Sequence, residues 1–177
     1  MKRISSTLFA TALSLAALAP WSTAFAQRAG SVQFGGTAGF NVPLSDLSRQ
    51  TQTGLLIDAF LTGTPQQWPV ALRGELSYSS FPGALDRTSQ HLAGITLNAV
   101  LPASTSRSAP YVLGGVGLYN MGSYAGRPSE NDAGVDVGVG YRWIRPGLSY
   151  FAEVRIADVA HTGVSRQMMP ILFGVTF

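Results

Sequence analysis

The 177-residue chain carries twelve Lys and Arg against nine Asp and Glu, has no cysteine, and is only 12% charged at a mean hydropathy of +0.19. So small a net charge without a basic cluster excludes a nucleic-acid footprint, and without cysteine no disulfide staples the fold. The composition is unusually apolar for a soluble domain, yet beyond the first 26 residues no run of eighteen apolar residues occurs, so any passage through a membrane falls to a closed β-barrel.

At the N-terminus, Lys2 and Arg3 precede an apolar run from Leu8 to Ala19, and Ala24-Phe25-Ala26 supplies a small-x-small cleavage pattern. Residues 1–26 therefore read as a signal peptide, because about twelve apolar or small residues are too few to span a bilayer as a helix. The remaining 27–177 stretch has 177 − 26 = 151 residues, enough for one domain with a sizeable core. It holds no lysine, and its 12 − 2 = 10 arginines against nine acids leave it near +1, so the pI of 9.6 says little about partners.

From there the chain reads as eight segments in which apolar side chains alternate with small or polar ones, the signature of half-buried strands. They are expected near Val32–Val42, Leu55–Thr62, Val70–Ser80, Gln90–Leu101, Tyr111–Asn120, Ala133–Trp143, Leu148–Asp158 and Gln167–Phe177. Turn-rich stretches at Pro43, Gly63-Thr64-Pro65, Phe81-Pro82-Gly83, Pro102, Gly126-Arg127-Pro128 and Arg145-Pro146-Gly147 punctuate them. No helix-period segment and no linker stands out.

Each segment has two faces. Leu55, Ile57, Ala59 and Leu61 oppose Leu56, Asp58, Phe60 and Thr62; Leu72, Leu76 and Tyr78 oppose Arg73, Glu75 and Ser77. Ala133, Val135, Val137, Val139, Tyr141 and Trp143 oppose Gly134, Asp136 and Arg142, while Tyr150, Val154 and Ile156 oppose Phe151, Glu153 and Arg155. On the fifth segment the faces stay ambiguous, with Val112, Val116 and Leu118 competing against Tyr111, Leu113 and Tyr119. A soluble sandwich would turn the apolar side inward, whereas a membrane barrel turns it to lipid and encloses the charges.

Three features favour the barrel. Ile171, Phe173, Val175 and Phe177 close the chain in strict alternation, and a terminal aromatic there resembles the signal read by the outer-membrane assembly machinery. Aromatics collect at segment ends as interfacial girdles, with Trp68, Tyr111, Trp143, Tyr150 and Phe177 at one rim and Phe40, Tyr78, Phe81 and Tyr119 at the other. The third feature is charge pairing. A tight turn at Ile144–Gly147 sets Asp136 opposite Arg155 and Arg142 opposite Ser149, and a turn centred on Thr64–Gln67 sets Asp58 opposite Arg73. With Glu75 and Glu153, four acids and three arginines would balance inside.

Eight strands enclose an interior that side chains fill, and aqueous channels need about twice as many. Inward glycines at 35, 39, 94, 138 and 140 relieve curvature in so small a barrel or make room for the long charged chains, the first being the simpler reading.

These features together resemble the small eight-stranded outer-membrane β-barrel proteins, similar to the transmembrane domain of OmpA and to OmpX. The resemblance spans about Val32 to Phe177 and rests on strand number, alternation and the ending Met169-Pro170-Ile171-Leu172-Phe173-Gly174-Val175-Thr176-Phe177. It implies an all-β, up-and-down transmembrane barrel in the bacterial outer membrane, with outer-membrane lipids, lipopolysaccharide and the assembly machinery as partners. No peptidoglycan-binding domain is expected after the barrel, and the loops are shorter than those of OmpX-like adhesins.

Chemistry is sparse. Gly114-Gly115-Val116-Gly117 lacks the helix a phosphate loop requires, the two histidines stand too far apart for a metal cluster, and no cofactor is expected. Some eight-stranded lipid A deacylases carry His, Ser and Glu on the outer rim, which points to Glu153, His161 and Ser165. In that family the serine follows the histidine by two positions, where this chain has Gly163 between Thr162 and Ser165. The expected function is thus non-enzymatic, either stiffening the envelope or presenting loops near Ser45–Thr53, Pro82–Ser89, Gly122–Asn131 and Val159–Arg166 to a surface partner. A lipid-modifying enzyme and a narrow pore are the alternatives.

Overall fold

The computed structural model describes residues 32–49, 51–65, 68–83, 89–104, 108–122, 130–145, 148–161 and 164–177. The expected signal peptide and the centres of the loops near 82–89 and 122–131 lie outside them. The chain forms β1 (Val32–Pro43), α1 (Ser45–Ser48), β2 (Gly54–Gly63), β3 (Ala71–Phe81), β4 (Gln90–Pro102), β5 (Ala109–Met121), β6 (Glu130–Arg145), β7 (Leu148–His161) and β8 (Val164–Thr176). Each strand pairs antiparallel with the next and β8 returns to β1, which closes the barrel and leaves no edge.

Two-residue periodicity carries through every strand. On β6, Val135, Val137, Val139, Tyr141 and Trp143 are exposed while Gly134, Asp136 and Gly138 are buried. From Ala133 to Trp143 this outward file is wholly apolar. Ten steps of about 3.3 Å on a strand tilted by about 40° give a band about 25 Å tall, the thickness expected of a lipid-facing barrel wall. The competing faces of β5 resolve: Val112, Val116 and Leu118 point out, and Tyr111, Leu113 and Tyr119 point in.

Two expected registers are wrong. In the β6–β7 hairpin Arg145 pairs with Leu148, so the two-residue turn sits one position later than expected and every pairing moves by two. Arg155 therefore faces Gly138, Asp136 faces Ala157 and Arg142 faces Phe151. In β2–β3 the ladder ends at Gly63 opposite Leu72, and Asp58 faces Ser77 while Arg73 faces Thr62. Pro65 and Pro69 in that connection have no N–H to give, so the ladder cannot continue into it.

The rim opposite the start of β1 and the end of β8 also differs from expectation. The loop expected over Val159–Arg166 is mostly strand, with β7 running to His161 and β8 starting at Val164. The β1–β2 connection contains the single helical turn α1, entered through Ser45 at a left-handed φ of 50°. The Leu44 N–H donates to the Gln167 carbonyl at 2.8 Å and the Gln52 N–H to the Pro82 carbonyl at 2.9 Å. These bonds lay α1 over the mouth, where Leu47 is buried against an apolar cluster with Phe81, Leu92 and Met168.

Candidate functional site

The interior is layered along the barrel. Below α1, Phe81, Leu92, Tyr119, Ala157, Val159 and Met168 pack together; toward the chain ends Phe60, Val100, Tyr111, Leu113 and Phe151 form a second apolar cluster. Between them sits a knot of two arginines and two glutamates from β3 and β7. These strands lie on different sides of the barrel, so the pairs cross its centre.

Arg155 holds Glu75 with both terminal nitrogens, Nη1 to Oε2 at 2.6 Å and Nη2 to Oε1 at 2.8 Å, and donates from Nε to Glu153 Oε2 at 2.8 Å. Its Nη2 also donates to Glu153. Arg73 Nη1 donates to Glu153 Oε1 and stands 3.5 Å from Glu75 Oε1. The Tyr111 hydroxyl donates to the same Glu153 oxygen. Thr96 Oγ1 donates to Glu75 Oε2 at 3.2 Å, and the Asn98 amide donates to Thr96 Oγ1 at the same distance. The Arg73 guanidinium lies 4.9 Å from the Phe60 ring centre and 5.2 Å from that of Phe151, so its face meets π-clouds while its edge meets carboxylates. Two cations and two anions, each buried and hydrogen-bonded, form a neutral unit that tolerates desolvation.

The other charges expected inside stand around this knot rather than in it. Asp136 approaches Arg155 Nη1 at 3.7 Å, but neither of its carboxylate oxygens has a hydrogen-bond partner. Asp58 stands between Thr37 and Ser77 on the flanking strands, away from its expected partner Arg73. Both aspartates line a cavity of about 40 Å³ with Asn41, Ser79 and Tyr119, room for about one water molecule. Arg142 is half-buried nearer the chain ends, with its Nε unpartnered.

Of the expected girdle, Trp68, Trp143 and Tyr150 are exposed at the rim where β1 begins and β8 ends, and Tyr78 is exposed at the other, stacked on His91. Tyr119 is a correction: it is 7% exposed against 45% for Tyr78 and lies inside the barrel. Tyr111 and Phe81 likewise turn inward, because their parity on β5 and β3 is that of the buried file. Sequence reasoning missed Tyr111 as a ligand of Glu153, though Gly140 opposite it on β6 was a legible signal. A Cβ at Gly140 would stand 2.4 Å from the tyrosine Cζ, and one at Gly174 would stand 2.2 Å from Phe151 Cζ. Glycine there makes room for an aromatic ring, a more specific task than relief of curvature.

At the chain terminus Ile171, Phe173, Val175 and Phe177 keep the outward parity, and Phe177 closes on β1 by donating its N–H to the Phe34 carbonyl at 2.8 Å and stacking on that ring. The residues considered for lipid hydrolysis do not converge. Glu153 is bound inside, eight positions along β7 from His161, about 26 Å at strand spacing. The His161 and Ser165 side chains, and all of Thr162 and Gly163, lie outside the described residues. Among the described residues no group of His, Cys, Asp and Glu could hold a metal ion.

No protein-family model matches the sequence, and no curated protein matches it. Solved structures do. Neisserial surface protein A aligns at a TM-score of 0.68 with 14% identity, over 85% of this chain and 98% of that one. Ail, the attachment invasion locus protein of Yersinia pestis, aligns at 0.59 with 12% identity over 84% and 99%. The outer-membrane protein OprG of Pseudomonas aeruginosa aligns at 0.53 with 12% identity over 84% and 97%. Closed eight-strand topology, a lipid-height apolar wall and these alignments agree: the chain has the fold of the small eight-stranded outer-membrane β-barrels.

Proposed function

We propose that this is a non-enzymatic outer-membrane protein, a rigid barrel that stiffens the envelope or presents its loops to a surface partner. The observation that carries this reading is the Arg73–Glu75–Glu153–Arg155 knot between two apolar layers. A conducting pore needs a continuous wet path, and a salt-bridged belt sealed on both sides opposes one. A rim hydrolase needs its carboxylate beside its histidine, and Glu153 is committed to Arg73, Arg155 and Tyr111 instead. The partners that follow are membrane lipids, lipopolysaccharide and, during biogenesis, the barrel assembly machinery, with no cofactor. Purified protein in planar bilayers should produce no discrete conductance steps, and lipid A from overexpressing cells should keep its mass. Defined unitary currents would replace this reading with a pore, and loss of an acyl chain would replace it with an enzyme.

A further inference from the structure

The lipid-facing wall is not evenly filled. Across β5 to β8 the outward residues Pro110, Tyr141, Ala152 and Phe173 stand in one cross-strand row, with Val139 and Val154 in the next. Ala152 is the small member between two rings, and the dent it leaves belongs to an apolar groove of about 460 Å³. Farther along β6 the same file continues through Trp143, whose ring centre is 4.9 Å from that of Tyr141, to Arg145 at the strand end. Arg145 is exposed and has no acidic partner among the described residues. It lies four residues from Tyr141, roughly 13 Å along the strand, so a phosphate at Arg145 would set its glycerol ester and first acyl carbons beside Trp143 and the carbons that follow at Tyr141 and Ala152.

We infer that this face binds one glycerophospholipid, with an acyl chain in the groove beside Ala152 and the phosphate at Arg145. The charge and the groove choose the same occupant. A wholly apolar trough inside the membrane band takes hydrocarbon, and a guanidinium with no acidic partner among the described residues, where that band ends, takes a phosphate, which it can bind with two parallel N–H bonds. Tyr141 and Trp143 wall the path between them at the depth where amphipathic rings favour the interface. The leaflet agrees as well. Arg145 lies on the rim where β1 begins and β8 ends, whose connections of seven, six and two residues are together shorter than the ten, eight, eight and two of the other rim, and the shorter turns belong to the periplasmic side, where the leaflet is glycerophospholipid.

The test uses the folded protein in a neutral detergent, incubated with phosphatidylglycerol or with diacylglycerol of the same chains, and native mass spectrometry to count retained lipids. The wild type should keep one phosphatidylglycerol, and diacylglycerol should be retained about tenfold less, as loss of a charge-assisted contact predicts. Ala152→Trp should fill the groove and lower phosphatidylglycerol retention about tenfold, Ala152→Leu less so, and Arg145→Gln should reduce it to the diacylglycerol level. Heat-modifiable migration shows that each variant is folded; the milder Ala152→Leu carries the test if Ala152→Trp is not. Unchanged retention in the Ala152 variants, or equal retention of the two lipids, would overturn the site. A wild-type dimer abolished by Ala152→Trp would overturn it too, by placing a second copy of the chain in the groove.

Discussion

Arg155 and Asp136 show how the same two residues change meaning with two positions of register. Directly opposed, they would share one buried ion pair and lose similar amounts on truncation. In the barrel Arg155 instead serves Glu75 and Glu153, and Asp136 touches it only at 3.7 Å without a hydrogen bond. Arg155→Ala strips Glu75 of its bidentate partner, leaves Glu153 to Arg73 and Tyr111, and should destabilise by about 3–5 kcal/mol, whereas Asp136→Ala removes one loose contact and should cost about 1 kcal/mol. Urea unfolding from lipid vesicles measures both. Equal losses would make Asp136 a full member of the knot. The double variant Glu75→Ala/Arg155→Ala should lose less than the sum of its parts, since removing both charges leaves fewer unpaired ones behind.

At the level of elements, the strands follow from alternation but their pairing follows from how each turn closes. The β6–β7 register is directly testable because the chain has no cysteine of its own. Trp143 pairs with Tyr150, so Trp143→Cys with Tyr150→Cys should oxidise readily, the facing Cα atoms being about 4.5–5.5 Å apart. Trp143→Cys with Leu148→Cys should oxidise poorly, and the reverse result would restore the turn at Ile144–Gly147. β8 raises a different question, because it closes the barrel on β1 and ends on Phe177 against Phe34. Deleting Phe177 should lower membrane insertion far more than deleting Gln27. Similar insertion of both deletions in cells would remove any role for the terminal aromatic in assembly.

For the molecule as a whole, an apolar exterior and a charged, hydrogen-bonded interior invert the arrangement of a soluble sheet protein. Leu55, Ile57, Val116, Leu118 and Phe173 are each more than half exposed, a surface that only lipid or detergent satisfies. The protein should therefore stay with outer membranes through a carbonate wash and migrate faster on gels unheated than boiled. Recovery from the soluble periplasmic fraction would contradict the lipid-facing wall.

Strand number and, on strands other than β5, the division into two faces were determined by the sequence alone, because a side-chain period of two is a local property and Pro and Gly mark where each ladder stops. The same logic put Arg73, Glu75, Asp136, Glu153 and Arg155 on one side of their strands before any pairing was known. Who meets whom was decided by tertiary structure. A turn displaced by one residue, as in β6–β7, or a longer one, as in β2–β3, slides a whole strand past its neighbour, and the closed barrel brings β3 and β7 together across its centre though 80 residues separate Glu75 from Arg155. Tyr111 and Tyr119 were misplaced for a related reason. Their strand offers apolar residues on both faces, so only closure, with Gly140 and Gly134 vacating the space beside those rings, settles which side is inside.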